Sequence, residues 1–227
     1  MACKSTAKTG LHALAALRAR HPWPELSELE GAPPYVWNLD GRELVTELIR
    51  NTRPRIFLEV GTFLGGSALS WLAAHPDLVL IALDPWTGGI ENFVDMVIDS
   101  PPSWVESIEP LRPIAAAIRQ HGIANVALHN LRAFRDRVIP VRMPAEMGYP
   151  HIRSFVEPDI IYIDATKQPQ EYLLVHELFP AATLCGDDWT WQDETGTCPV
   201  RNYFHKVAAL RDCSVLAKDA TWLLAKN

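Results

Sequence analysis

Arg55-Ile-Phe-Leu-Glu-Val-Gly-Thr-Phe-Leu-Gly-Gly-Ser-Ala-Leu69 is the stretch from which the fold is read. Ile56, Phe57, Leu58 and Val60 form a short apolar run with Glu59 near its end, as in a central parallel strand covered on both faces. Gly61, Gly65 and Gly66 follow. Lacking a Cβ, they let the chain turn sharply and bring its backbone close to a ligand. Ser67 is placed to cap the next helix, whose apolar residues include Leu69, Trp71 and Leu72. A helix N-terminus at the carboxyl end of a strand is a general site for nucleotide-like ligands. The glycine spacing is not the Gly-x-Gly-x-x-Gly of a dinucleotide fold, and no Gly-Lys-Ser/Thr follows for a phosphate loop.

Outward from this stretch the pattern alternates. Strands are predicted over 78–83, 138–143, 160–164 and 181–185, with Val215-Leu216 and Trp222 to Ala225 as a final hairpin. Helices are predicted over 40–52, 66–75, 113–134, 169–179 and 198–211, the first with Asp40 as its N-cap. Alternation of this kind gives an α/β, doubly wound, mostly parallel sheet of seven strands, with the hairpin as its antiparallel part. Residues 9–20 form an amphipathic helix through Leu11, Leu14 and Leu17, ended by His21-Pro22-Trp23-Pro24. Residues 1–39 therefore read as a helical cap segment and 40–227 as the main domain. Trp23 and Pro24 offer a surface for a second copy of the chain, a possible homo-oligomer. Residues 87–112, broken by Gly88-Gly89, Pro101-Pro102 and Pro110, read as an insertion or lid beside the substrate site.

The composition sets bounds. The 227 residues are 48% hydrophobic and 21% charged, enough for one large domain with a sizeable core. A net charge of -6 argues against broad nucleic-acid binding. Arg132, Arg135, Arg137 and Arg142 read as a solvated helix face and strand edge. Four cysteines without a Cys-x-x-Cys pair suit reduced thiols in a cytoplasmic protein. No apolar run is long enough to span a bilayer, so no membrane partner is expected.

Two sets of polar residues carry the chemistry. Asp84, about 20 residues past the glycine turn and at a strand tip, is placed to accept hydrogen bonds from ribose hydroxyls; the other reading is a turn aspartate before Pro85. Asp164, Asp187 and Asp188 follow directly on two successive strands, so a parallel sheet sets them side by side at the edge that holds the glycine turn. Three anions so close need protons or a cation. Carboxylate oxygens with little histidine nearby favour Mg²⁺, or Mn²⁺ or Ca²⁺, over zinc.

Glu59-x-Gly61-x-x-x-Gly65-x-Ser67 resembles motif I of the class I S-adenosylmethionine-dependent methyltransferases. Asp164-Ala-Thr-Lys167 with Tyr172 is similar to the run found in the metal-dependent catechol and caffeoyl-CoA O-methyltransferases. Asp187-Asp188-Trp189 after Leu184-Cys-Gly186 resembles the sugar and macrolide O-methyltransferases. The chain has Ala165-Thr166-Lys167 where the sugar type has Gly-Ser-His, and a second aspartate where the catechol type often has asparagine.

The resemblance implies a Rossmann-like fold with S-adenosylmethionine held by Glu59, Gly61, Thr62, Phe63, Gly65, Ser67, Asp84 and Asp164. Pro144 and Ala145 would lie on its adenine side, and Trp37 and Asn38 near its methionine end. It implies Mg²⁺ on Asp164, Asp187 and Asp188, a small hydroxylated acceptor, and Lys167 as the base. A free lysine has a pKa of about 10.4, so Lys167 would need a depressed value to act near neutrality. His151 is an alternative base. His176 reads as packed or solvent-facing, and Trp189 and Trp191 as an aromatic wall or loop anchors. The rival readings are a metal-dependent hydrolase or hydroxylase-like enzyme on the same fold and a catalytically silent methyltransferase-like binding protein.

Overall fold

The computed structural model describes residues 3–37, 42–87 and 89–227, and the side chains from residue 12 onward within them. In chain order the helices and strands are α1 (Cys3–Arg20), α2 (Glu43–Thr52), β1 (Ile56–Val60), α3 (Gly66–Ala74), β2 (Val79–Leu83), α4 (Phe93–Asp99), α5 (Leu111–His121), α6 (Ile123–Leu131), β3 (Val138–Val141), α7 (Ala145–Arg153), β4 (Ile160–Ile163), α8 (Pro169–Leu178), β5 (Thr183–Gly186), α9 (Pro199–Leu210), β6 (Cys213–Lys218) and β7 (Thr221–Lys226). Asn38, Asp40 and Gly88 lie outside the described residues.

The strands make one sheet in the order β3-β2-β1-β4-β5-β7-β6. β1 to β5 run parallel, and β7 joins antiparallel to both β5 and β6. The expected doubly wound sheet with its terminal hairpin is therefore present. The chain steps outward from β1 to β2 and β3, then returns to lay β4 on the other side of β1. This reversal opens a crevice between the carboxyl ends of β1 and β4, where ligands bind in such sheets.

Strand side chains alternate between two cores, one on each face of the sheet. Phe57, Leu80, Ala82, Val138, Ile160, Tyr162 and Cys185 pack with α2 through α6. Leu58, Val60, Ile81, Leu83, Ile139, Val141, Ile161, Ile163 and Leu184 pack with α1, α7, α8 and α9. Both faces are covered, which is why these strands read as continuous apolar runs rather than alternating ones.

Two expectations change in detail, and one helix, α7, adds to those expected. The predicted helix 113–134 is two helices, because Gly122, at φ +80, breaks it between α5 and α6. The stretch 87–112 contains α4, whose Val94 and Val97 are buried in the first core, so part of it is structural. α7 starts directly at the tip of β3 despite Gly148 and Pro150, residues whose local preference is against helix.

The N-terminal segment packs on the same chain: Leu14 and Leu17 enter the second core, and Trp23 and Leu26 lie against the first. Arg18 donates to the carbonyls of Arg135, Asp136 and Val138 at 3.1, 2.9 and 3.1 Å. Two arginines of the expected solvated cluster serve as similar clamps. Arg137 donates to the carbonyls of Leu72 and His75, and Arg132 to those of Ala32 and His129. No described helix is long and apolar enough to cross a membrane.

Candidate active site

The glycine turn lies at the β1–β4 crevice. Gly61 adopts φ +87, and its N–H donates to the carbonyl of Leu83 at 2.9 Å. A Cβ on Gly61 would fall 1.8 Å from the carbonyl oxygen of Asp164. The turn is pressed against the tip of β4 so closely that only glycine fits. Phe63 is also left-handed, at φ 49, as are Trp86 (φ 48) and Asp188 (φ 64) on the same rim. Non-glycine residues held this way cluster at functional sites.

Ser67 corrects an expectation. The N-cap of α3 is Gly65 and makes no side-chain cap. Ser67 instead donates its hydroxyl to Glu59 Oε1 at 2.5 Å. Glu59 is fully buried, and burial pushes its carboxyl up to about 8 against the opposing Ser67 hydrogen bond. Glu59 Oε2 and Thr62 Oγ1 are both buried, and the Thr62 hydroxyl also opposes the rise by hydrogen bonding toward the carboxyl. A buried carboxyl and a buried hydroxyl beside a turn stripped of Cβ give the crevice a polar lining.

Asp84 is a staple between two turns. Its Oδ2 accepts from the Phe63 N–H at 2.8 Å and its Oδ1 from the Trp86 N–H at 2.6 Å. Trp86 Nε1 returns a bond to the Phe63 carbonyl at 2.7 Å. Asp84 is buried, and burial holds its carboxyl above the ordinary value although both backbone bonds favour the charged form. A ribose would have to use the lone pairs these bonds leave. Pro144, extended at φ -63 and ψ 151, is the N-cap of α7, and Ala145 is buried in the second core. At Ala145, therefore, the backbone is what remains for an adenine.

The acidic tips are adjacent, as the parallel register requires. Ile163 pairs with Gly186, so the next residues, Asp164 and Asp187, face each other across β4 and β5. Their charge is met from an unexpected direction. Arg42, just before α2, places Nη2 at 3.1 Å from Asp164 Oδ2 and 2.9 Å from Asp187 Oδ2, while its Nε donates to Tyr162 Oη at 2.8 Å. Burial works against the guanidinium charge, but Tyr162, Asp164 and Asp187 outweigh it. Asp164 is held above the usual carboxylate range, chiefly by burial, with Arg42 opposing and Asp187 and Asp188 reinforcing. Lys167 Nζ lies 2.7 Å from Asp188 Oδ2. Burial lowers the lysine's pKa, but Asp188 more than compensates, so the net shift is upward, opposite to what a base near neutrality needs.

This arrangement does not fit the expected divalent-metal cage. Among the described residues no group of three or more His, Cys, Asp or Glu is placed to hold a metal ion. One oxygen each of Asp164 and Asp187 is engaged by the guanidinium, and one of Asp188 by the ammonium. Arg42 and Lys167 supply two positive charges among the three carboxylates.

Of the other candidates, His151 and His176 lie in the last turns of α7 and α8, away from the strand tips, and the tryptophans lie nearer. His151 pairs with His21 (Nε2 to Nε2, 2.8 Å) in the last turn of α7. His176 Nδ1 accepts from Arg211 Nε at 3.0 Å and has a packing role. Trp189 is buried against Trp222 and His205, a loop anchor, whereas Trp191 is 39% exposed with Lys167 Nζ 5.7 Å from its ring centre. Trp37 stacks on Phe93 and Trp104 and meets Phe63 edge-on, giving the glycine turn an aromatic neighbour.

Sequence reasoning missed three supporting residues. Besides Arg42, Asn130 ties the Leu64 carbonyl to both backbone polar groups of Tyr35. Glu171 accepts from Tyr149 Oη and from the Thr166 N–H and hydroxyl, holding the segment between Asp164 and Lys167. A polar residue at a helix position otherwise facing the core was the one local signal for Glu171 and Asn130.

No protein-family model matches the sequence, and no curated protein matches it. Solved structures do match. A candidate O-methyltransferase from Klebsiella pneumoniae aligns over 97% of this chain and 98% of its own, with 19% identity and a TM-score of 0.57. The O-methyltransferase TomG from Streptomyces achromogenes, in complex with SAM and involved in tomaymycin synthesis, aligns over 97% and 98%, with 17% identity and a TM-score of 0.53. An O-methyltransferase from Bacillus cereus in complex with SAH aligns over 96% and 89%, with 19% identity and a TM-score of 0.51. The chain thus shares its fold with these O-methyltransferases.

Proposed function

We propose that this protein is an S-adenosylmethionine-dependent O-methyltransferase acting on a hydroxyl of a small molecule. The observation that carries the reading is the contact of Gly61 with Asp164 at the sheet's crevice, with the side chains of Glu59 and Thr62 buried beside it. The neighbours captured with SAM or SAH support it. S-adenosylmethionine, when bound, supplies an electrophilic methyl group on a sulfonium centre.

The residues divide the remaining work. Gly61 and Gly65 keep the turn open to the cofactor, and Ser67 orients Glu59 through its hydrogen bond. Asp84 fixes the backbones of Phe63 and Trp86, which shape the wall on the ribose side. Pro144 and Ala145 offer backbone to the adenine. Asp164, with 28% of its side chain exposed against 18% for Asp187, is the more open of the two facing carboxylates and takes the acceptor's proton. Lys167, held charged by Asp188, stabilises negative charge developing on the acceptor oxygen, and the exposed face of Trp191 flanks the acceptor. No step is assigned to a divalent ion, because Arg42 and Lys167 already engage the carboxylates.

Calorimetric titration with S-adenosylhomocysteine tests the reading. Stoichiometric binding is expected, followed by transfer of labelled methyl from S-adenosylmethionine to members of a panel of catechols, sugars and hydroxylated natural products. Absence of binding heat, or binding without transfer to any hydroxyl, overturns it.

A further inference from the structure

We infer that Arg42 stands in for the divalent cation at this site, so that the acceptor is recognised by hydrogen bonding and one hydroxyl suffices where chelation would require a vicinal pair. For its chemistry the inference rests on the O-methyltransferase reading; the evidence for the cation does not.

Three partners at the carboxyl ends of two strands, β4 and β5, fix the guanidinium. Nη2 lies between Asp164 Oδ2 at 3.1 Å and Asp187 Oδ2 at 2.9 Å, at the tips of β4 and β5. Nε is bonded to Tyr162 Oη, and the Tyr162 ring is packed edge-on against Trp71 at 4.6 Å deep in the first core, whose sheet residues include β1. The Arg42 side chain is 14% exposed. A guanidinium taken so far out of water is kept only where its N–H groups are matched to acceptors, and its planar fork suits two facing carboxylates as an ammonium would not.

The same geometry is hostile to a metal. Mg²⁺ needs about six oxygens at about 2.0–2.1 Å in a near-octahedral shell. The space between Asp164 and Asp187 from which both could reach an ion is where Arg42 Nη2 sits. Asp188, turned by its left-handed φ of 64°, is paired with Lys167. The ion pairs leave at most one oxygen on each of the three carboxylates, of which Asp187 Oδ1 is buried, and the other oxygens of Asp164 and Asp187 are held by the guanidinium that separates them. Two fixed cations beside the same point would also repel a third.

A hydroxyl approaching Asp164 therefore meets a rim neutralised by fixed side-chain charges. It needs one oxygen, because no ion demands a second. Vicinal diols hold no advantage over single hydroxyls of the same shape.

Binding of Mn²⁺ alone, followed by electron paramagnetic resonance of the free ion, tests this on the intact chain. The wild type and Asp187→Asn should bind Mn²⁺ equally weakly. A folded Arg42→Met variant, with the carboxylate pair uncovered, should gain about tenfold or more in affinity. Wild-type binding that falls about tenfold in Asp187→Asn overturns the inference, as does a folded Arg42→Met without any gain. If Arg42→Met does not fold, the comparison with Asp187→Asn decides alone. Once a transferred methyl is detected, its loss on adding EDTA also overturns the inference. Failure of S-adenosylhomocysteine to bind would overturn the methyltransferase reading separately, leaving the Mn²⁺ result to stand for the cation.

Discussion

A methyl group on Gly61 would lie 1.8 Å from the carbonyl oxygen of Asp164. The first turn of the chain's central unit and the first acidic tip are thus in backbone contact. The cofactor cradle and the proton-handling end of the site form one rigid piece, although their parts come from opposite sides of the switch in strand order.

Gly61→Ala should therefore do more than strain a left-handed residue. Gly122, at φ +80 with nothing within 4 Å of its would-be Cβ, is the control for conformation alone. At φ 80 and ψ 144 Gly122 lies outside the left-handed helical well, in a region close to glycine-only, and Gly122→Ala is expected to cost about 1–3 kcal/mol. Gly61→Ala adds a collision with backbone and should cost at least about 2 kcal/mol more, with loss of S-adenosylhomocysteine binding. Urea denaturation and calorimetry on both variants check the pair.

Glu59 predicts a pH dependence of stability. Its folded value is pushed up to about 8 from an ordinary 4.5, so between these values the folded state holds the proton more firmly than the unfolded chain does. The Glu59 contribution is fully present below about 4.5 and falls as pH rises toward 8. Glu59→Gln, which keeps the shape and cannot ionise, should flatten the melting temperature measured from pH 5 to 9. An unchanged slope in the variant would assign the dependence to another group.

Asp84 as a staple and Asp84 as a ribose ligand differ in the absence of any ligand. Asp84→Asn turns one acceptor into a donor facing the N–H of Phe63 or Trp86, and should cost about 1–3 kcal/mol. A role confined to ribose would leave the melting temperature of the ligand-free protein unchanged.

Glu171 should matter more than its absence from any motif suggests. Glu171→Ala leaves Tyr149 Oη without its acceptor in a buried position and releases two donors of the exposed Thr166 to water. A loss of about 2–4 kcal/mol is expected from chemical denaturation. Because Thr166 precedes Lys167, hydrogen exchange at residues 165–168 should also rise.

By itself the sequence determined the sheet, the turn and the edge at which the site forms. These follow from short-range information: apolar runs of strand length, glycines where a turn is needed, and aspartates placed directly after strands. The tip residues Glu59, Gly61, Asp164 and Asp187 were found this way, because parallel pairing converts sequence position into spatial neighbourhood. The tertiary structure alone decided how the site's charges are balanced. Arg42 reaches Asp164 and Asp187 across 122 and 145 residues, and Asn130 reaches Tyr35 and Leu64 across 95 and 66. Ser67 donates its hydroxyl to Glu59 because a buried carboxyl needs a donor, while the start of its helix presents N–H groups that only an acceptor could cap and its N-cap position is Gly65. No local pattern encodes such choices, since each depends on which distant group is left in need of a partner once the layers have packed.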